Sequence, residues 1–467
     1  MSDTAVLLCG GTGLTADAFD CAPAVVVRDL CGRPADAASA LRELAVTRVV
    51  LVLCEDKPSG DLVNALRRAG ASTFGIESVV VGGRGPAEAA LSVAGLVARL
   101  DALAPGDNGK PVLASNGFSR RALLQLAPVV THAPVAVVDE AACVGSARCG
   151  VCAAACPERA IRVSGPQPVV DISTCTACGG CVPSCPHDAL HLAGSSMAQI
   201  EAQLEQLLPA APGIVFACRS ADVQALPGWP VVELPTLRLV SPGWLLQLRA
   251  HGVEVQLAPC AGPCCACVLE SGAFAERLLN AIGEPHRTGP ARLQLAEPLA
   301  TVDAVRRLAP RDTAVVLEDA SSPLGVLAIA PERCTLCGAC ATACPTSALQ
   351  LRRDAAENVL CHEPSACVAC GRCAGACPED ALSVTRAVDI ARLNRGTLEL
   401  VGAKVEPCTA CGLELPPLPM RRRLRVLVPS MADAPLDLCA ECAARSAYDH
   451  SDLSTERKLK WARQGPT

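Results

Sequence analysis

The chain has 467 residues, 30 of them cysteine, and 41 basic against 47 acidic side chains give a net charge of −6. Hydrophobic residues make up 51% of it but aromatics only 2%, so the core must be built from Ala, Val and Leu. That balance excludes a largely disordered chain and a nucleic-acid binder, which needs a basic footprint and usually stacking aromatics.

So many cysteines need a chemical reason. Disulfide-dense domains are small and secreted. This chain is long and opens MSDTAVLLCGG, with neither a basic n-region nor a cleavage-site pattern. It has no run of about 18 apolar residues free of charge or proline, so no transmembrane segment is expected. The expected setting is reduced and cytoplasmic, where clustered cysteines bind metal rather than one another.

In chain order, residues 1–130 predict an α/β layer domain. Short apolar runs at 5–9, 24–28, 48–53 and 78–81 read as buried strands, and 35–45 and 60–70 as helices. Such alternation builds a parallel sheet. Cys9, Cys31 and Cys54 fall at or just past strand ends, where a parallel sheet opens its ligand crevice, and Cys21 lies between them. They are either ligands or small buried thiols. Gly11 to Ala16 with Asp29 imitates a dinucleotide fingerprint, but Pro23 leaves too little room for its crossover helix.

Residues 136–195 and 327–388 each carry a doubled cysteine motif. CTACGGCVPSCPHDAL (175–190) recurs as CTLCGACATACPTSAL (334–349) and CVACGRCAGACPEDAL (367–382), with a looser copy at 143–161. Each strict copy reads C-x2-C-x2-C-x3-C-P. In this spacing three thiolates grip one cubane iron–sulfur cluster and the fourth cysteine reaches the other cluster of the pair. Four [4Fe–4S] sites follow: Cys334, Cys337, Cys340 with Cys377; Cys367, Cys370, Cys373 with Cys344; Cys175, Cys178, Cys181 with Cys156; and Cys143, Cys149, Cys152 with Cys185. The last set has a C-x5-C gap, as if Ser146, Ala147 and Arg148 were inserted, which leaves [3Fe–4S] as an alternative there. His187 and His191 read as surface residues.

Residues 196–283 predict a small α/β piece, with a helix over 197–208, strands at 213–218, 230–234 and 253–258, and a helix at 243–251. Residues 284–326 read as a connector with a short helix near 301–308. Residues 400–450 hold two C-x2-C knuckles, Cys408 with Cys411 and Cys439 with Cys442, which read as a zinc-ribbon-like segment. A rubredoxin-like iron and bare thiols remain alternatives. Arg421 to Arg425, between the knuckles, reads as a solvated strand face. The fold class expected is therefore multidomain, with an α/β layer domain, two α+β units, a small α/β middle piece and the metal-binding tail.

The two doubled units resemble bacterial-type two-cluster ferredoxins, which implies a ferredoxin-like α+β fold and one-electron transfer. Residues 5–81 resemble the N-terminal domain of the A subunit of heterodisulfide reductase. That implies a further [4Fe–4S] cluster on Cys9, Cys21, Cys31 and Cys54. The large flavin domain of that subunit has no counterpart here. The stretch 214–267 resembles the delta subunit of methyl-viologen-reducing hydrogenase, implying a [2Fe–2S] cluster on Cys218, Cys260 and Cys264 with Cys265 or Cys267. No cysteine stands at Leu234 to Thr236, where that family has one, so a degenerate docking domain is the alternative.

Together these readings describe a non-catalytic electron-transfer subunit of a cytoplasmic oxidoreductase, with a flavoprotein, a molybdenum enzyme such as a formate dehydrogenase, or a hydrogenase as partner. The competing reading is a redox enzyme in its own right, using the irregular N-terminal cluster or a bound flavin.

Overall fold

The structure is a computed structural model that describes residues 3–54, 57–82, 84–104, 112–113, 130–131, 134–219, 221, 223, 228–260, 266–283, 293–428 and 432–449. The chain divides into two compact units, Met1–Pro323 with Ala387–Ala391 and Leu324–Arg386 with Arg392–Thr467. Among the described residues no helix is long and apolar enough to cross a membrane.

The first unit opens with strands β1 (Thr4–Cys9), β2 (Ala24–Val27), β3 (Arg48–Leu53) and β4 (Ile76–Val80). They form one parallel sheet in the order β2-β1-β3-β4. Both faces of β1 and β3 are covered, which is why these strands are continuous apolar runs rather than alternating ones. Helices α1 (Pro34–Leu44) and α2 (Gly60–Ala69) help cover the sheet, and α3 (Pro86–Asp101) runs beyond β4. β1 and β2 are joined by two short 3-10 turns, not by an α-helix, so the dinucleotide fingerprint has no crossover helix to open.

A two-stranded ribbon of β5 (Val112–Leu113) and β6 (Val130–Thr131) follows. The first cysteine-rich unit then pairs β7 (Ala136–Val138) with β10 (Leu190–Leu192), its first strand with its last. Between them lie the short helix α4 (Val151–Ala155) and the ribbon of β8 (Ile161–Arg162) and β9 (Val169–Val170).

Helix α5 (Met197–Leu207) starts with a capping box between Ser196 and Gln199 and packs on α3. Gly95 makes that crossing close, since a Cβ there would come within 3.1 Å of Leu207. Next comes a parallel sheet of β11 (Gly213–Cys218), β12 (Val231–Leu234) and β13 (Glu254–Ala258), ordered β12-β11-β13. Helices α6 (Pro242–Ala250), α7 (Ala266–Ile282) and α8 (Leu299–Leu308) complete this piece.

The span read as a connector is largely part of this core. The indole N–H of Trp244 donates to Leu295 O at 3.0 Å. The buried carboxylate of Glu297 accepts from the Gly243 N–H and the Ser241 hydroxyl, both at 2.8 Å, and from the Thr301 hydroxyl at 3.1 Å. Arg277 pairs with Asp319. At the end of the unit, β14 (Val316–Glu318) pairs with Ala387, Val388 and Asp389, the last residues of β18 (Leu382–Asp389).

In the second unit, β15 (Gly325–Ile329) pairs with the earlier residues of β18. β16 (Leu349–Arg353), β17 (Glu357–His362) and β19 (Leu398–Lys404) form an antiparallel sheet in the order β16-β17-β19. Short helices α9 (Ala339–Ala343) and α10 (Arg372–Gly375) carry cysteines, and α11 (Ile390–Arg395) follows β18.

Beyond Lys404 the expected ribbon is absent among the described residues. A single bridge, Pro407 with Glu414, is followed by α12 (Leu418–Leu427) and α13 (Ala440–Asp449). The arginine run expected on a strand face lies on α12. Arg421 is buried there, donating to Pro416 O at 2.8 Å and pairing with Glu406, while Arg423 pairs with Glu379 at 2.8 Å. Proline in the first helical turn is compatible with an α-helix start, and the arginines then find acceptors that a strand would not offer.

Candidate iron–sulfur site

The strict cysteine motifs share a backbone signature. In each, the residue before the second cysteine is left-handed: Ala177 (φ 56°), Leu336 (φ 56°) and Ala369 (φ 52°). The glycine after that cysteine is left-handed too, at Gly179, Gly338 and Gly371. After every C-P pair a further left-handed residue follows, namely Arg159, Asp188, Ser347 and Asp380. Non-glycine residues in this region cost about 1–2 kcal/mol each. Seven such residues in matching places mean that the surrounding structure fixes the turns. Turns of this kind aim successive N–H groups into a concavity that suits anionic sulfur. The N–H of Ala160, Ala189 and Ala381 indeed donates to the sulfur of Cys156, Cys185 and Cys377, each at 3.3 Å.

The cysteines meet across the motifs. One cavity, with about 350 Å³ between its walls, is lined by Cys143, Cys149, Cys152 and Cys185. A second of similar size is lined by Cys175, Cys178, Cys181 and Cys156. A third, of about 330 Å³, is lined by Cys367, Cys370, Cys373 and Cys344. Cys334, Cys337 and Cys377 surround Cys340 closely enough to act on its charge. In each set the most enclosed thiol is pushed up, first by burial and then by its cysteine neighbours: Cys152 and Cys340 to about 11, Cys181 and Cys373 to about 12. Thiolates packed together in such walls need a positive centre among them, which iron supplies.

The irregular copy keeps its place. The inserted residues form a turn in which the N–H of Ser146 donates to Pro166 O at 2.9 Å and that of Cys149 to Gly145 O at 3.1 Å, and Cys149 still lines the cavity. His187 lines the same cavity and is half-buried, as is His191, so neither is the surface residue expected. Sequence reasoning missed His362. It lines the third cavity, is 1% exposed, and neither ring nitrogen has a hydrogen-bond partner among the described residues. Burial, helped by Arg392, pulls it down to about 4, so the ring is neutral and has one N–H to give. An acceptor in that cavity would satisfy it, and cluster or thiolate sulfur is one.

The N-terminal cysteines divide. Cys9, Cys31 and Cys54 converge at the carboxyl edge of the parallel sheet, with all sulfurs within 4.8 Å of one another. Burial works to raise Cys9, but the backbone N–H groups of Gly11, Cys31 and Leu30 and the Cys31 thiol more than offset it and hold the thiol below its ordinary value. Cys21 is exposed and outside this group, so the four-cysteine set expected here is not assembled. In the middle piece, buried Cys218 ends β11, and Cys260 lies just past the end of the adjacent β13. Cys264 and Cys265 lie outside the described residues. Leftover Cys361 is buried on β17.

At the tail, Cys408, Cys411, Cys439 and Cys442 again lie within 4.8 Å of one another. The N–H of Cys439, with help from Ala410 and Cys411, pulls Cys408 down to about 6 against the effect of burial. Four converging thiols with one already favouring the thiolate make a metal-binding knot.

Nested turns, N–H···S bonds and four-cysteine cavities define an iron–sulfur protein. The family match agrees: a model described as a 4Fe-4S dicluster domain matches residues 130–189 and 333–381. No curated protein matches the chain.

Proposed function

We propose that the chain is an electron-transfer subunit of a larger oxidoreductase, relaying single electrons through four [4Fe–4S] clusters held by the four cysteine sets above. One observation carries the reading: in three cavities, three cysteines of one motif meet the fourth cysteine of its neighbour. Bound there, the clusters supply one-electron chemistry with no open iron for a substrate. The chain's own groups anchor the sulfurs, exclude water with apolar walls and set potentials through N–H donors such as those of Ala160, Ala189 and Ala381. A carrier needs a redox enzyme at each end, and a flavoprotein, a molybdenum enzyme or a hydrogenase would serve. The tail knot suits structural zinc, since closed four-thiolate coordination is typical of such sites. Cys218 and Cys260 at neighbouring strand ends support a [2Fe–2S] centre in the middle piece.

The test is anaerobic purification with metal analysis. About sixteen irons per chain are expected from the four clusters, more if the middle piece is loaded. Cys344→Ala and Cys370→Ala should each remove about four irons, and the double variant no more than either. Cys344→Ala combined with Cys337→Ala should remove about eight. If Cys344→Ala and Cys337→Ala instead share one loss, the crossed ligation is wrong. A colourless, iron-free protein would sink the whole reading.

A further inference from the structure

The structure assigns Cys9, Cys31 and Cys54 to a single zinc ion, a mononuclear site outside the electron-carrying clusters and unlike the [4Fe–4S] cluster that the resemblance of this domain implies. The assignment goes beyond the proposed function and does not depend on it.

The three sulfurs lie 3.6, 3.7 and 3.8 Å apart. With a Zn–S bond of about 2.3 Å, tetrahedral coordination puts two sulfurs about 3.8 Å apart, whereas a planar three-coordinate ion would spread them to about 4.0 Å. The triangle matches one face of such a tetrahedron. In a cubane each thiolate binds a different iron and the bonds splay outward, so the sulfurs must stand farther apart than on one ion. The same chain shows the contrast. Among the described residues, only this trio and the tail knot have every sulfur within 4.8 Å, while the ferredoxin-type sets surround open cavities.

The convergence is built by the fold. Cys9 ends β1, Cys54 follows β3 and Cys31 lies in the loop after β2, so three neighbouring parallel strands deliver one thiol each to the same edge. Gly10 and Gly11 clear the space. A Cβ on Gly10 would lie 2.8 Å from Arg28 O, and one on Gly11 would lie 3.3 Å from the Cys54 sulfur. Cys9 is buried, Cys54 half-buried and Cys31 exposed, so the triangle has a solvent side. No fourth Cys, His, Asp or Glu among the described residues joins it. Three protein sulfurs and a fourth position taken by a lighter donor such as water is the pattern of an open zinc site, in contrast to the closed four-thiolate knot at the tail. Soft thiolates select zinc over magnesium, calcium or manganese.

The full-length protein, purified anaerobically, should contain about two zinc ions per chain beside its iron, one at each single-ion site. Cys31→Ser, at an exposed position, and the triple Cys9→Ser/Cys31→Ser/Cys54→Ser variant should each lose one zinc and no iron. In a Cys408→Ser/Cys411→Ser variant, X-ray absorption at the zinc edge should report three sulfurs and one lighter atom. Loss of about four irons from the triple variant would show a cubane at this edge and overturn the assignment. Unchanged zinc and iron in that variant would overturn it as well. Wild-type protein lacking the ferredoxin-type irons but keeping this zinc would refute the proposed function and leave the assignment standing.

Discussion

Arg99 offers the sharpest test of how the first unit is held together. It sits on α3, is 1% exposed, and reaches three separate segments. Its guanidinium donates to Glu233 O at 2.9 Å, to Gln203 Oε1 at 3.1 Å and to Ser195 Oγ at 3.1 Å, with the Glu77 carboxylate 3.6 Å from Nε. Arg99→Ala would leave the Gln203 and Glu233 oxygens buried without this donor, at about 1–3 kcal/mol each. Ser195 keeps its own donation to Gly194 O, and Glu77 keeps Arg219 at 3.2 Å, so those two lose less. With the lost packing of the stem the sum is about 4 kcal/mol, inside the usual range for breaking a buried charged contact. In a unit of this size that lowers the unfolding midpoint by about 6 °C, read by far-ultraviolet circular dichroism under anaerobic conditions. Arg99→Met, which keeps much of the stem but no donor, should lose most of the same stability. If both variants melt within about 1 °C of the wild type, the acceptors are satisfied some other way and the reasoning fails.

Three further outcomes are expected. Gly371 is left-handed with open space where a Cβ would stand, so Gly371→Ala should cost about 1 kcal/mol from backbone strain alone, measurable as a lower urea midpoint of the second unit. Gly243→Ala meets Glu297 Oε1, and Ala300 Cβ at 2.6 Å, and should cost about 2 kcal/mol or more, whereas the same change at Gly85, with nothing nearby, should be close to neutral. His251, lowered by burial and by the Arg307 guanidinium 3.1 Å away, is held neutral when folded. Its contribution to stability is therefore complete above the ordinary histidine value and is lost as pH falls below it; His251→Gln should flatten that part of a stability–pH curve, and an unchanged curve would count against the assignment.

Much of this was legible in the sequence, for reasons that differ by element. AVLLC and RVVLVL announce buried parallel strands because they are short, continuous apolar runs, the second rich in valine, alternating with helical segments. The ferredoxin spacing carries its own rule for which cysteine crosses over, and the cysteines lining each cavity come from both motifs of a pair. The trio at the sheet edge follows no spacing rule. It exists because β1 lies between β2 and β3, a neighbour relation that no local pattern encodes. Nothing around Arg99 in the sequence marks its role, because its partners are about a hundred residues away. His362 stood at the end of the apolar run Val359-Leu360-Cys361, with nothing to mark the cavity behind it. The arginine run misled because its end, Arg423-Leu424-Arg425-Val426, alternates as a strand would, and the partners that decide it, Glu406 and Glu379, lie outside the run.

The crossed cavities also bear on how the molecule is made. The cysteine set that Cys344 completes otherwise comes from residues 367 to 373, and Cys340 waits for Cys377. A nascent chain that has exposed only the earlier motif owns three thiols of one pocket and a single thiol of the next, and can close neither. With the proposed crossed ligation, cofactor delivery in each doubled unit would follow translation of its final cysteine, and a ribosome stalled between the motifs would leave both pockets open to oxidants at once.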